Sequence, residues 1–354
     1  MKVETVARAQ RQAYGRNFPP PFFCFPPSAG PEPIWDGTRM SEPVLRGQLR
    51  EREPMGRHVS WRAGGVADRA YEPVDLADLR AFLASRAAGE AIYFVGLGSN
   101  LLVRDGGLHG TVVFTHWALR GIRIDPGQCE IAVEAGVACP RIARIAAVNG
   151  CTGAEFLAGI PGTLGGALAM NAGCYGGETW DMVTRVQTID RQGDLHERTP
   201  AEFEIGYRSV TFKADGGRRT AEGIHRSSLI PHPSEEWFIA ATLRFLRGDS
   251  AAARRRIKEL LACRIASQPL SQPNAGSVFR NPPGDHAARL IEACGLKGHV
   301  IGGAMISPKH ANFIVNVGAA RARDIEALIE LAQRAVGEKF GIELECEVRI
   351  VGEA

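Results

Sequence analysis

A glycine-rich run at residues 159–177 is the feature that most constrains how this chain can fold. Seven of its nineteen residues are glycine, several times the usual frequency of this residue. Glycine loses much backbone freedom on folding, so this density indicates sharp turns or the close approach of another group. Pro161 and Thr163 predict a turn and an N-cap before a short helix at 164–170. A bound phosphate would explain the run, and a packing junction without a ligand is the alternative.

A second glycine turn follows a predicted strand at 92–95. Its sequence is Gly96-Leu97-Gly98-Ser99-Asn100-Leu101. It is not a Rossmann fingerprint, because the third glycine is absent and the following residues are apolar and β-prone instead of helical. Two separate phosphate-compatible turns predict a dinucleotide held by a different fold.

Together these two turns resemble the FAD-binding region of the MurB family, the UDP-N-acetylenolpyruvoylglucosamine reductases. The resemblance extends over about residues 58–352 and implies a noncovalently bound FAD. It places cofactor contacts in both turns, at Gly96, Gly98, Ser99, Asn100, Leu101, Gly159, Ile160, Pro161, Gly162, Thr163, Gly165, Gly166, Asn171 and Gly173.

Three later segments also resemble the family and imply the catalytic residues. They are Gly206-Tyr207-Arg208-Ser209, the segment from Asn274 to Asn281, and Leu344-Glu345-Cys346-Glu347-Val348-Arg349. The family's roles fall on Arg208, Ser277 and Glu347. Without the resemblance, Arg208 would be read as an ordinary strand residue in a surface salt bridge. Glu347 lies on a predicted strand with other carboxylates, and partial shielding among like charges would raise its pKa.

The resemblance implies a reaction as well as a site. NADPH would reduce FAD, and the flavin would pass hydride to the enolpyruvyl group of UDP-N-acetylglucosamine enolpyruvate, giving UDP-N-acetylmuramate for peptidoglycan precursor synthesis, cell-wall biogenesis and cell division. Arg208 and a protonated Glu347 would stabilise the developing negative charge, and Ser277 would donate a proton. Tyr207, Asn281 and Lys309 are candidate substrate-binding residues. For Asn281 and Lys309, a loop-stabilising or solvated role is an equal alternative.

The order of short strands and helices predicts an α+β fold. The resemblance implies a two-subdomain FAD-binding region of the PCMH type at 46–247, divided at about 115/116, and a C-terminal α+β substrate-binding domain at 248–342. A final strand at 343–354 would carry Glu347 back to the FAD region. The proline-rich residues 1–45 form an extension without a predicted function, and residues 215–236 are predicted to form a polar surface loop.

Composition narrows the remaining classes of function. A net charge of +3 gives no basic footprint for nucleic acid. No apolar stretch approaches the roughly 18 residues that span a membrane. The eight cysteines lack the spacing of a zinc site, so no metal is predicted, and they are expected to be reduced thiols in the cytoplasm. The small-molecule substrate is the expected partner, and the family suggests a monomer.

Two other functions stay open at this point. One is a different FAD enzyme of the same fold that oxidises an alcohol or lactone with oxygen. The other is a nucleotide-sugar binding protein without redox activity. A covalently attached flavin would favour the first, and the absence of bound flavin would favour the second.

Overall fold

The computed structural model describes residues 45–213 and 236–354. The predicted proline-rich extension and the predicted loop at 215–236 therefore lie outside the described residues, except for their last positions. Leu45–Ala354 forms one compact unit. The boundaries predicted within it, at 115/116, 247/248 and 342/343, stay predictions.

The first part of the chain builds a small mixed sheet. Its elements are β1 (Gln48–Pro54), β2 (Val66–Glu72), α1 (Leu76–Ala84), β3 (Ile92–Val95), β4 (Leu101–Val103) and β5 (Leu108–Phe114). The sheet order is β1-β2-β5-β3, with β1 antiparallel to β2 and the other pairs parallel. Asp75 caps α1 by accepting the amide of Asp78, and the helix ends at Ala84.

The middle of the chain builds an antiparallel sheet. Its strands are β6 (Ile122–Asp125), β7 (Glu130–Glu134), β8 (Cys151–Thr152), β9 (Gly173–Cys174), β10 (Gly177–Glu178), β11 (Val183–Asp190), β12 (Leu195–Arg198), β13 (Phe203–Gly206), β14 (Ser209–Phe212), β15 (Glu236–Arg244) and β16 (Leu246–Arg247). Five of them pair in the order β12-β11-β15-β7-β6. The helices are α2 (Cys139–Val148) and α3 (Leu164–Ala169), with 3-10 turns at Met55–Arg57, Glu155–Gly159, Thr179–Asp181 and Pro200–Glu202.

The last part of the chain is mainly helical. It contains α4 (Ser250–Ser267), α5 (Ala287–Ala293), β17 (Val300–Ile301), β18 (Ala304–Ile306), β19 (Ile314–Asn316), α6 (Ala322–Phe340) and β20 (Arg349–Val351). Strands β17, β18 and β19 form an antiparallel sheet. Helix α4 contacts α2, and its Ile257 and Leu261 pack against the core of the middle region. Helix α6 buries one stripe of apolar side chains, as its periodicity predicts.

The first and last parts of the chain are interlocked. Trp61 is fully buried within the C-terminal core, beside Leu290, Ile325 and Leu344. Its indole Nε1 donates to the carbonyl of Ile314 at 2.7 Å. Strand β20 pairs in parallel with β4, so the end of the chain returns to the strand that follows the first glycine turn.

The final strand, predicted at 343–354, is shorter in the structure. Regular strand covers only Arg349–Val351, and Glu347 precedes it. Residues 345–347 contact 278–280 through one isolated bridge, Phe279 with Cys346, and through hydrogen bonds on either side of it. Alternating apolar and polar residues predict which way successive side chains point. A regular strand also needs a neighbouring strand that pairs with it continuously.

In the described parts of the chain, every helix is too short or too polar to cross a membrane.

Replacement of the buried tryptophan tests this interlock. Trp61→Phe removes the indole donor from the Ile314 carbonyl and leaves space in the C-terminal core, so we expect a loss of about 1–3 kcal/mol in the free energy of unfolding. Urea denaturation monitored by circular dichroism measures the change. Trp117→Phe is the matched control, because Trp117 is 55% exposed. Equal stability of the two variants would contradict the assigned role of Trp61.

Candidate active site

The two glycine turns lie against each other. A Cβ atom at Gly96 would overlap Thr163 Oγ1, and one at Gly162 would lie 3.0 Å from Ser99 Oγ. The turn at Gly98 (φ +58°) also passes so close to the His58 carbonyl that a side chain would overlap it. The absence of a Cβ atom at Gly96 therefore allows the close contact with Thr163, and the structure brings together two segments about sixty residues apart in sequence.

Thr163 begins helix α3 but does not cap it with its side chain. It is buried at the N-cap position, and its hydroxyl makes no capping hydrogen bond. Thr163 is thus at the predicted N-cap position, but the side-chain hydrogen bond expected of a cap is absent. Its hydroxyl lies against Gly96 instead of the helix amides. Thr163 and Ser99 each place a hydroxyl where the two turns meet, with Pro161 and Gly166 exposed nearby in sequence.

Asn171 links the glycine run to the hairpin of β13 and β14. It is buried with φ +43°. Its side-chain amide donates to Glu178 Oε2 at 2.8 Å and to the Gly206 carbonyl at 3.1 Å, and its Oδ1 accepts the amide of Trp180. Both polar atoms of the Asn171 side chain are therefore hydrogen-bonded within the protein. Asn171, predicted as a cofactor contact, is observed here as a support for the hairpin.

The same hairpin presents Arg208 to the site. Gly206 and Ser209 pair across a two-residue turn formed by Tyr207 and Arg208. Arg208 has φ +54°, an uncommon conformation for a residue with a side chain. Its Nη2 donates to the Gly173 carbonyl at 2.8 Å, and its Nη1 reaches the Asn171 carbonyl at 3.4 Å. The glycine run therefore orients this guanidinium.

Arg208 and Glu347 form the central ion pair of the site. Arg208 Nε lies 2.8 Å from Glu347 Oε1, and the two side chains are only 15% and 13% exposed. Burial raises the pKa of Glu347, while the neighbouring guanidinium of Arg208 opposes that rise. The pair supplies a cation and a carboxyl group that is protonated more readily than usual.

Ser277 lies on the backbone segment that pairs with the main chain of Glu347. It directly precedes Val278, whose carbonyl accepts the amide of Glu347 at 2.8 Å. On the opposite side, Asn312 holds the same segment: its main-chain carbonyl accepts the amide of Val278, and its side chain exchanges hydrogen bonds of 2.9 and 2.8 Å with Phe279. Two of the predicted catalytic residues, Ser277 and Glu347, are thus on adjacent backbone segments.

Asn312 was not predicted from the sequence as a site residue. It is buried, and its side-chain amide hydrogen-bonds to both the main-chain N–H and the main-chain carbonyl of Phe279, as a neighbouring strand would. The signal available in the sequence was a single Asn between apolar residues, which predicts a buried polar group that needs partners. Its partner is 33 residues away in sequence.

Asn100 connects the first glycine turn to Glu347. Its Nδ2 donates to the main-chain carbonyl of Glu347 at 3.0 Å, and its own carbonyl accepts the amide of Arg349. The predicted cofactor turn and the predicted acid therefore share one hydrogen-bond network.

The three candidate substrate-binding residues have different environments. Tyr207 is 48% exposed, and the Arg208 guanidinium carbon lies 5.1 Å from its ring centroid. Asn281 Oδ1 accepts the amide of Ala287, the first residue of α5. Lys309 Nζ donates to the Ile265 carbonyl at 2.6 Å. Tyr207 is beside the ion pair, whereas Asn281 and Lys309 make contacts that stabilise local structure.

The residues present fit a phosphate-bearing flavin nucleotide. The two turns that carry the predicted cofactor contacts lie together. Glycines at 96 and 162 leave the main chain open where the turns meet, and the hydroxyl groups of Ser99 and Thr163 lie beside them. Cys174 in this region is a free thiol whose pKa burial raises to about 11, so it is an unreactive neighbour. No group of side chains suited to a metal ion occurs among residues 45–213 and 236–354.

Two domains of this chain match known protein families. Residues 67–199 match the family described as "FAD binding domain", and residues 268–351 match "UDP-N-acetylenolpyruvoylglucosamine reductase, C-terminal domain". The UDP-N-acetylenolpyruvoylglucosamine reductase of Nitrosospira multiformis is 56% identical over 311 residues, which cover 87% of this chain and 90% of the relative. That of Thiobacillus denitrificans is 55% identical over 323 residues, covering 88% and 94%.

A solved structure supports the same assignment. The crystal structure of UDP-N-acetylenolpyruvylglucosamine reductase (MurB) from Thermus caldophilus has a TM-score of 0.66 and 31% sequence identity, and the match covers 86% of this chain and 98% of that one. The predicted α+β fold with an FAD-binding region is confirmed. From the sequence relatives, the matched domains and this structural neighbour together, the chain belongs to the UDP-N-acetylenolpyruvoylglucosamine reductase (MurB) family.

Proposed function

We propose that the chain catalyses the NADPH-dependent, FAD-mediated reduction of UDP-N-acetylglucosamine enolpyruvate to UDP-N-acetylmuramate. The observation that carries this proposal is the buried Arg208–Glu347 pair, 2.8 Å apart and joined through Asn100 to the first glycine turn. It supplies a cation and a proton-bearing carboxyl group beside the turns suited to the cofactor.

Arg208 and Glu347 act on the carboxylate of the enolpyruvyl group. The two glycine turns would hold the flavin, whose chemistry would be hydride transfer to the vinyl carbon, and Arg208 and Glu347 would then face the negative charge that develops on the substrate. A fixed guanidinium stabilises this charge well, because its geometry needs no reorganisation during the reaction. Protonated Glu347 adds a hydrogen bond to the same region.

Ser277 completes the reduction by giving a proton to the carbon next to the new C–H bond. A serine hydroxyl is a weak acid, so it needs a neighbour that lowers the cost of losing the proton. The backbone link between Val278 and Glu347 and the Asn312 clamp on Phe279 support this arrangement, because they hold the serine segment and the acid in register.

We also propose finer features of the function. Tyr207 is the strongest candidate for a substrate contact, and Asn281 and Lys309, which make local contacts, are weaker candidates for binding the substrate diphosphate or carboxylate. We assign NADPH as the hydride donor, the cytoplasm as the location and peptidoglycan precursor synthesis as the process, with consequences for cell shape and division. The seven described cysteines are free thiols, in keeping with a reducing compartment. We propose a monomer.

Anaerobic absorbance spectroscopy tests the proposed function. We expect NADPH to bleach a noncovalently bound flavin and UDP-N-acetylglucosamine enolpyruvate to restore its colour. Restoration by oxygen alone would indicate the alternative oxidase, and a protein unable to take up FAD would indicate the redox-inactive alternative. The family assignment favours neither alternative.

The contact between the glycine turns is tested by Gly96→Ala. The added methyl group would overlap Thr163 Oγ1 and force the turns apart, so we expect FAD affinity to fall about tenfold or more. Flavin retained after gel filtration, followed by FAD titration of the apoprotein, measures it. Gly89→Ala is the control, because its methyl group would meet no atom within 4 Å. Full FAD affinity in Gly96→Ala would rule out this role.

Ser277→Ala tests the proton donor. We expect NADPH to reduce the flavin at the normal rate, and reoxidation by the enolpyruvyl substrate to slow by about 10²- to 10⁴-fold because one general acid is lost. Anaerobic stopped-flow absorbance separates the two steps. Ser267→Ala, at the exposed end of α4, is the control for the same substitution. Normal reoxidation by Ser277→Ala would remove this residue from the mechanism.

Glu347→Gln tests the acid through its pH dependence. Because the folded-state pKa of Glu347 is raised by burial, the protonated form persists to higher pH than in an ordinary carboxyl group. Wild-type reoxidation should therefore slow as the pH rises through that pKa. Glu347→Gln should be slower at every pH and lack this decline, whereas the exposed control Glu343→Gln should keep it. An unchanged decline in Glu347→Gln would show that another group titrates.

A further inference from the structure

We propose that Arg280 is a positioning residue that holds the backbone of Arg208 in its hairpin turn. The proposal rests on the proposed function, since it takes Arg208 as the group that acts on the substrate. Arg280 acts through Arg208 and does not itself touch the substrate or the cofactor.

The guanidinium of Arg280 joins three segments of the site. Its Nη2 donates to the main-chain carbonyl of Arg208 at 3.1 Å, and its Nη1 lies 3.3 Å from Glu345 Oε2. Its main-chain amide donates to the Glu345 carbonyl at 2.9 Å. One side chain thus connects the hairpin, the segment that follows Ser277 and the segment that precedes Glu347.

The backbone of Arg208 needs such a contact. At φ +54°, Arg208 has a conformation that is unfavourable for a residue with a Cβ atom, and such conformations persist where surrounding contacts hold them. The adjoining Tyr207 is 48% exposed, so this residue of the turn is poorly restrained by packing. A hydrogen bond from a charged donor to the Arg208 carbonyl holds the peptide plane that follows the strained residue.

The environment of Arg280 makes its position costly unless it has a specific use. Its Nε is buried and is one of the few buried polar atoms in the described part of the chain without a hydrogen-bond partner. A buried donor left unpaired is unfavourable. The guanidinium is also close enough to Glu347 to lower the pKa of that carboxyl group, against the larger effect of burial. A second cation therefore lies beside the Arg208–Glu347 pair.

The two bonds made by the Arg280 guanidinium depend on its shape. A guanidinium presents several N–H groups in a rigid plane, so it reaches the Arg208 carbonyl and the Glu345 carboxylate at once. A lysine ammonium is a single point on a flexible stem and would satisfy one partner well. Arginine therefore makes both contacts at this position, whereas lysine would make one of them well.

Three variants test the proposal in anaerobic stopped-flow experiments on the FAD-loaded protein. Arg280→Met removes the bond to Arg208, Arg280→Lys keeps the charge without the fork, and Glu345→Gln removes the ion pair while leaving the bond to Arg208. For Arg280→Met we expect normal flavin reduction by NADPH and reoxidation by UDP-N-acetylglucosamine enolpyruvate about 10- to 100-fold slower. Arg280→Lys should lose less, and Glu345→Gln should match the wild type in both steps.

The outcomes separate positioning from general stabilisation. Wild-type reoxidation in Arg280→Met would overturn the proposal, as would an equal loss in Glu345→Gln, because the ion pair would then be the important contact. Flavin content and circular dichroism identify a variant that does not fold; if Arg280→Met fails this check, Arg280→Lys decides, and its full activity would overturn the need for the fork. Failure of the proposed function is distinct, since the wild-type flavin would not be reoxidised by this substrate.

Discussion

The structure depends on keeping two opposite charges paired in a largely buried place. An unpaired charge in the position of Arg208 or Glu347 would be strongly unfavourable, so the elements that carry them must meet accurately. Arg208 comes from the turn between β13 and β14 and is oriented by carbonyls of the glycine run. Glu347 comes from the end of the chain and is held by Val278 and Asn100. The hairpin, the glycine run and the C-terminal segment are thereby constrained by one contact.

The glycine turns and the ion pair form one connected structure. The contact of Gly96 with Thr163 sets the spacing of the turns, and Asn100 at the end of the first turn reaches the backbone of Glu347. Asn171 at the end of the second reaches the hairpin that presents Arg208. A cofactor bound between the turns would therefore contact the segments that orient both charged groups, which couples cofactor binding to the geometry of the reacting site.

Local patterns in the sequence predicted much of this fold, and distant pairings explain what they missed. The strand Ile92–Val95 and the short helix Leu164–Ala169 lie at or close to their predicted bounds, because apolar runs and turn signals are local properties. Strand β1 was not predicted, since four of its seven residues are charged. For the site, the family resemblance named Arg208 and Glu347, which the structure pairs. The roles of Asn312 and Arg280 arise from contacts between residues far apart in sequence, which a single sequence does not contain.

The burial of Trp61 has a consequence for how the chain folds as it is synthesised. Its indole donates to a carbonyl 253 residues further along, and its neighbours in the core extend to Leu344 and Val348. Contacts of such long range delay folding, because the loop between them must close before they give any stability. During synthesis on the ribosome, Trp61 therefore stays exposed beside the first sheet until nearly the whole chain has emerged. Premature release of a nascent chain would therefore expose an apolar surface prone to aggregation.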